Sequence, residues 1–276
     1  MDDGQGHAGR WALITGASAG IGEAFARLLG GHGCSLILTS RRTERLESLA
    51  AGIRESHGVE VQCHSCDLGQ PDGVESLISS IDVDVDILIN SAGYAIPDYF
   101  IDSDWDSIRR FLEVMAMAPI HLSHAYMPGM VDRGWGRVIH VSSLAGFVPE
   151  SPGSLYGPSK SFMVSYARSQ ARELKGSGVH ITALCPGFTR TEFHDVLGNR
   201  EEVDRMPRWM WSEVDPVVRA GWSAVEKGRE VCIPGLVNKG IQAMFALMPS
   251  AIQRKLPYTR MPGRHEISDS EPERHG

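Results

Sequence analysis

Along this chain, short apolar runs take turns with stretches in which apolar residues recur at helical spacing. The runs WALIT (11–15), CSLILT (34–39), VEVQC (59–63), VDILIN (85–90), GRVIHVS (136–142), VHITALC (179–185) and EVCIP (230–234) read as strands. The stretches between them predict helices at about 20–31, 42–57, 71–81, 104–133, 154–176 and 213–227. Strand-helix alternation implies a parallel sheet with helices on both faces. The helix from 213 has a start signal, with Ser212 as N-cap and Glu213 and Asp215 in its first turn. Pro119 lies inside the 104–133 pattern and is expected to kink it. No repeat, low-complexity linker or boundary signal interrupts the alternation. The pattern therefore predicts a single α/β domain with a doubly wound, Rossmann-like parallel sheet over residues 10–235. Residues 1–9 read as a flexible, polar N-terminus and 236–276 as a C-terminal extension.

The first strand runs into TGASAGIG, which sets Gly16, Gly20 and Gly22 between a strand and a helix. Glycines let the backbone turn sharply and come close to a pyrophosphate, and a helix N-terminus attracts negative charge. Gly16, Ser18, Gly20, Ile21 and Gly22 are therefore candidate cofactor-binding residues. The same letters spell a nucleophile elbow, Gly16-Ala17-Ser18-Ala19-Gly20. A hydrolase of that kind places several strands ahead of its elbow, whereas only fifteen residues precede Gly16 here. Neither His180 nor His194 sits in a motif that would complete a triad.

Further on, Tyr156 stands four positions before Lys160 at a predicted helix start, so the two share a helix face. TGASAGIG, then Asn90-Ser91-Ala92-Gly93, then Ser143, Tyr156 and Lys160, then Pro186-Gly187 with Thr191, occur in that order. Together these motifs resemble the short-chain dehydrogenase/reductase family over roughly residues 10 to 235. The resemblance implies that Tyr156 is the acid/base, Ser143 the partner of the carbonyl oxygen, and Lys160 a tuner of the tyrosine and a ligand of the cofactor ribose. It also implies a cofactor site that includes Asp67 at the adenine, Asn90, Ala92 and Gly93 beside the cofactor, and Pro186, Gly187 and Thr191 toward the nicotinamide. The chemistry is intelligible in itself: an ammonium near a phenol favours phenolate and lowers its pKa from about 10. Without that resemblance, Asp67 reads equally as a turn aspartate.

The end of the second strand decides between nicotinamide cofactors. It reads Thr39-Ser40-Arg41-Arg42, without the carboxylate that would accept from a ribose 2′-hydroxyl. Arg41 can instead meet a 2′-phosphate with its planar fork, so the expected cofactor is NADP(H).

One position departs from the family. Aligning the helix after the fourth strand puts Met115 where many members carry an asparagine that holds a relay water, and no asparagine occurs between Asn90 and Asn199. That keeps open a non-enzymatic alternative, an NADP-binding regulator with a vestigial site. The segment 188–212, which in the family lies over the substrate, carries Phe188, Phe193, Met206, Trp209, Met210 and Trp211. Phe188, Phe193, Trp209 and Trp211 are the candidate substrate contacts of this expected helical lid. They point to an apolar substrate, and the resemblance implies ketone–secondary alcohol chemistry on it, so a steroid-like, acyl-chain or polyketide-like substrate is expected, with a small hydroxy acid as the alternative.

Composition narrows the class. The chain has 276 residues with a net charge of −7, which gives it no overall attraction to nucleic acid. Five cysteines do not form a disulfide framework, and the polar start MDDGQGHAGR is neither a signal peptide nor a span, so the expected location is cytoplasmic. Cys63-His64-Ser65-Cys66 lacks a second ligand pair, and no metal is expected. Family resemblance implies a homodimer or homotetramer built through the helices near 104–133 and 154–176. Between Val231 and Arg264 the chain holds Lys239, Arg254, Lys255, Arg260 and Arg264 and no acidic residue. Ile241, Met244, Phe245, Leu247 and Met248 add an apolar helical face, so this extension reads either as a packed helix, as a phosphate-binding surface for an acyl-CoA, or as a weak peripheral contact with anionic lipid.

Overall fold

The structure is a computed structural model that describes residues 7–96, 100–147, 155–192 and 207–249. Seven parallel strands form one sheet among these residues: β1 Trp11–Thr15, β2 Ser35–Ser40, β3 Val61–Ser65, β4 Val85–Asn90, β5 Gly136–Val141, β6 Val179–Leu184 and β7 Val231–Cys232. Their order is β3-β2-β1-β4-β5-β6-β7. The order reverses between β1 and β4, and the crevice beyond the carboxyl ends of strands at such a reversal is where ligands bind in open α/β sheets.

The helices are α1 Gly20–Gly31, α2 Thr43–His57, α3 Gly73–Ser79, α4 Trp105–Leu112, α5 Ala118–Asp132, α6 Tyr156–Glu173, α7 Val214–Glu226 and α8 Leu236–Leu247. Helices α1, α2 and α7 cover one face of the sheet, where Phe25, Leu46 and Trp222 pack on Ile14, Leu38 and Ile89. On the other face α3, α5 and α6 bring Leu77, Leu122 and Ala167 against Leu13, Leu88 and Ile181. Coverage on both sides is why the central strands β1, β2 and β4 are mostly apolar on both faces. His7 closes the bottom of the first face, its ring edge-on to Trp222 at 5.2 Å.

Three local expectations are corrected. The 104–133 helix is not one α-helix with a kink: a π-helical turn, Glu113–Met117, separates α4 from α5. Pro119 sits in the first turn of α5, where a missing N–H costs little, so the wider turn absorbs the proline in place of a bend at its own position. The N-cap of α7 is Glu213 rather than Ser212. Ser212 is held instead in a backbone bridge to the segment after β6, its N–H donating to the Phe188 carbonyl at 2.9 Å. Strand β3 starts at Val61, two residues later than expected, because its pairing with β2 begins at Leu36↔Val61.

Candidate active site

The turn after β1 takes its shape from glycine. Gly16 and Gly20 have φ of +66° and +56°, conformations that side chains disfavour. A Cβ on Gly22 would meet the Gly16 carbonyl, so the start of α1 packs tightly under the turn. Ile21 is half-buried against the core beneath α1. Helix α1 begins at Gly20 behind Ala19, with no side chain capping its first amides. Those free N–H groups, together with the helix dipole, form a natural seat for a phosphate.

Thr15 fastens this turn to the loop after β4. Its hydroxyl oxygen accepts from the Ser91 and Ala92 N–H groups, both at 3.0 Å. A Cβ on Gly16 would lie 2.8 Å from Ala92 Cα, so the two loops close on each other with no room for a side chain. Across from them, Thr191 stands over the turn, 3.1 Å from where a Cβ on Gly20 would be. Gly93 leaves a gap between Met115 and Lys160: a Cβ there would lie 3.1 Å from Met115 Sδ and 3.8 Å from Lys160 Nζ. Met115, at the family's asparagine position, is therefore a buried neighbour of the lysine, set in the π-helical turn.

Ser143, Tyr156 and Lys160 come together where β5 ends and α6 begins. Ser143 opens a short 3₁₀ turn, Leu144–Gly146, and its hydroxyl oxygen accepts from the Ala145 N–H at 3.1 Å. A hydrogen bond joins it to Tyr156. The Lys160 ammonium donates to the Val141 carbonyl at 2.9 Å and stands 5.5 Å from the centre of the Tyr156 ring. Ser142, one residue earlier, donates to the Lys160 carbonyl at 2.8 Å and so ties the end of β5 to α6.

Burial sets the protonation of this group. It pushes the Tyr156 phenol up to about 12, and the Ser143 hydrogen bond lowers it by less. It pulls Lys160 down to about 8. Desolvation is the largest influence on both groups and favours the neutral phenol and the neutral amine. At neutral pH the tyrosine carries its proton and the lysine its charge.

Below the site lies a buried polar chain that the sequence did not reveal. Asn90 Nδ2 donates to His140 Nδ1 at 3.1 Å, and His140 Nε2 donates to Gln170 Oε1 at 2.9 Å. Gln170 Nε2 turns to the Met127 sulfur at 3.4 Å. Burial pulls His140 down to about 4, so it is neutral and its two nitrogens play opposite roles. Asn90 Oδ1 has no partner among the described residues.

The remaining candidates fall around the groove. Asp67 follows β3; one oxygen accepts from the Gly69 N–H at 3.0 Å and the other pairs with Arg110 at 2.9 Å, so it is a turn aspartate as well as a groove residue. Pro186 accepts from the Leu144 N–H, which ties the end of β6 to the Ser143 turn. Gly187 is pressed against Asn238 of α8, a contact between distant segments that has no local signal in the sequence. Phe188 and Trp211 meet with ring centres 5.7 Å apart. Trp209 is exposed, and Phe193 and Met206 lie outside the described residues. Arg41 is exposed at the end of β2, and Arg42 reaches Ser18 Oγ at 3.0 Å. Ser18 thus faces an arginine, and His180 is bound to the Val225 carbonyl, an arrangement unlike a hydrolase triad. Among the described residues no cluster of three potential ligands could hold a metal.

Comparisons with known proteins agree with this geometry. The family model for short chain dehydrogenase matches residues 10–202. The very-long-chain 3-oxoacyl-CoA reductase of Anas platyrhynchos is 31% identical over 194 residues, covering 68% of this chain but only 62% of that protein's own length. A short-chain dehydrogenase from Sphingobium yanoikuyae, solved with NADPH, is 31% identical and superposes with a TM-score of 0.76 over 88% of this chain and 97% of its own. A 7beta-hydroxysteroid dehydrogenase aligns with a TM-score of 0.80 at 26% identity, over 89% of this chain and 95% of that one. The order of strands, the glycine turn and the matched length leave one conclusion: the chain belongs to the short-chain dehydrogenase family of oxidoreductases.

Proposed function

We propose that the protein is an NADP(H)-dependent oxidoreductase that interconverts a bulky lipophilic ketone and its secondary alcohol. The observation that carries this reading is the meeting of Ser143, Tyr156 and Lys160 beside Gly93, at the mouth of a glycine-lined crevice. The crevice fits a dinucleotide: Gly16, Gly20 and Gly93 leave the room, and the uncapped start of α1 supplies donors for a pyrophosphate. When bound, the nicotinamide supplies the hydride. The chain's own residues handle the oxygen and the proton. Ser143 donates to the substrate carbonyl, and Tyr156 gives its proton to the oxygen as negative charge develops there. General acid catalysis of this kind contributes about 10²–10⁴-fold. A phenol pushed up to about 12 holds its proton at neutral pH, the form that can donate it. Lys160, charged at neutral pH, stabilises the phenolate left behind.

Substrate class rests on the aromatic pair Phe188–Trp211 in the segment after β6. A hydroxy acid would want a spare cation there, yet Arg190, 5.3 Å from the Trp211 ring, is paired with Glu213 at 3.2 Å. The similar proteins named above act on long acyl or steroid skeletons by their names, which supports the lipophilic reading. The test is a panel of bulky ketones and alcohols assayed by NADPH absorbance. Turnover of bulky ketones supports the proposal; a protein that binds NADPH but turns over nothing is the regulator instead.

Assembly follows from exposed apolar residues on the α4–π-turn edge and on α6, namely Trp105, Leu112, Met117 and Phe162. We assign this surface to a second copy of the chain, and sedimentation should give a dimer or tetramer that Trp105→Glu weakens. No described helix is long and apolar enough to cross a membrane. Leu236, Met244 and Leu247 of α8 are exposed, in keeping with a weak contact between the basic extension and anionic lipid. Absence of salt-sensitive binding to anionic liposomes would remove that contact.

A further inference from the structure

The arginines that follow β2 are not equivalent. Arg41 makes no hydrogen bond or ion pair among the described residues, and its charge is felt by the Tyr94 phenol. Arg42 is anchored at both ends: Nε donates to Ser18 Oγ at 3.0 Å and Nη1 to Glu192 at 2.9 Å. Arg45, in the first turn of α2, donates from Nη1 to both oxygens of the same carboxylate at 2.7 and 2.8 Å. Glu192 lies 150 residues beyond Arg42 and directly follows Thr191, which stands over Gly20. One carboxylate from the segment after β6 therefore reaches across the groove to the arginines on its opposite wall. The hydrogen bonds from Arg42 and then Arg45 hold the Glu192 carboxyl below the usual carboxylate range, so it is charged at neutral pH.

These contacts are close but wet. Arg42, Arg45 and Glu192 are 43%, 52% and 47% exposed, and exposed pairs of this kind are individually weak and easily exchanged. A phosphate monoester carries close to two charges and three acceptor oxygens, which suits the same donors better than one carboxylate does.

We propose that Glu192 is a specificity-determining residue that stands in for the 2′-phosphate of the cofactor. It occupies Arg42 and Arg45 when the groove is free and yields them when a 2′-phosphorylated adenosine arrives. Two consequences follow from the charge alone. Affinity for the 2′-phosphate is lower than Arg41, Arg42 and Arg45 together would otherwise give. The segment carrying Thr191 is fastened to α2 before cofactor binds and released from it afterwards. The inference rests on the NADP(H) reading of the groove.

The test needs no turnover. Calorimetric titration of the full chain with adenosine 2′,5′-bisphosphate and with adenosine 5′-monophosphate separates the 2′-phosphate from the rest of the nucleotide. Glu192→Gln keeps the shape and removes the charge. It should bind the bisphosphate about two- to fivefold more tightly, the upper range of an exposed ion pair, and leave the monophosphate unchanged. Glu192→Asp, which keeps the charge, should stay near the parent protein. If Glu192→Gln binds the bisphosphate no better, or worse, while the parent still prefers it, Glu192 is not a competitor and the inference fails alone. If the parent binds the two nucleotides equally, the NADP(H) reading fails and takes the inference with it.

Discussion

The two ends of the groove are built on opposite principles. At the catalytic end, Lys160 and the Asn90–His140–Gln170 chain are buried, and Tyr156 is half-buried beside them. There desolvation decides protonation, with Tyr156 near 12, Lys160 near 8 and His140 near 4. At the adenine end, Arg42, Arg45 and Glu192 are about half exposed, and their ion pairs lie in water. Buried groups have one geometry and a high cost for any other; exposed ions can change partners at little cost. On the function proposed above, the contrast divides the labour: one end would fix a reaction, the other adjust which nucleotide is admitted.

The sharpest way to break the contrast is at Tyr156. Tyr156→Phe keeps the ring and removes the transferable proton, so turnover should fall by at least about 10²-fold while NADPH binding stays close to that of the parent. Single-turnover kinetics with a fluorescence titration of NADPH would check both halves.

His140 tests burial itself. Its folded pKa of about 4 lies below the ordinary value of 6.5, so the unfolded chain takes up more protons between those values. Stability from this group is complete above about pH 6.5 and is lost as pH falls toward 4, by roughly 3 kcal/mol. His140→Leu should be less stable throughout, since Asn90 and Gln170 lose their partner, but its melting temperature should fall less between pH 7 and 4.5. A slope equal to that of the parent would place the acid sensitivity elsewhere.

At the exposed end the expected loss is selective. Arg41→Ala should weaken NADPH by about 1.5–3 kcal/mol, the value of a charge-assisted contact, and leave NADH nearly untouched. Equal loss for both nucleotides would move Arg41 out of the phosphate site.

The smallest effect is expected at Met115. Met115→Asn restores the family's residue beside Gly93 and Lys160, and activity should hold or rise modestly. A large loss would mean that the shape of the thioether in the π-helical turn matters more than a relay.

What the sequence made legible follows the same division by range. The central strands announced themselves because β1, β2 and β4 are apolar on two faces, and the glycine turn because Gly16 and Gly20 need backbone angles that few residues accept. Tyr156 and Lys160 were readable because helical spacing is local. The π-helical turn was not, since Glu113–Met117 has ordinary helical composition and differs only in its hydrogen bonding. Nor were the partners of Asn90 and Arg42: His140 lies 50 residues from Asn90, and Glu192 lies 150 from Arg42. Such pairs leave no periodic trace, because the fold rather than the neighbouring sequence brings them together. The desolvation of Tyr156 and Lys160 was not legible for the same reason, as burial is a property of the packed molecule.

The hydroxyl of Thr15 carries a consequence for the newborn chain. Its partners, Ser91 and Ala92, are 76 and 77 residues downstream, so the glycine turn has left the ribosome long before its counterpart exists. Strand β1 must wait in the middle of an unfinished sheet for β4, and pairing at that separation is slow because loop closure precedes any gain. Nucleotide can therefore steady the nascent protein only after the chain has passed Ala92, so the segment that carries the glycine turn gains nothing from ligand until then.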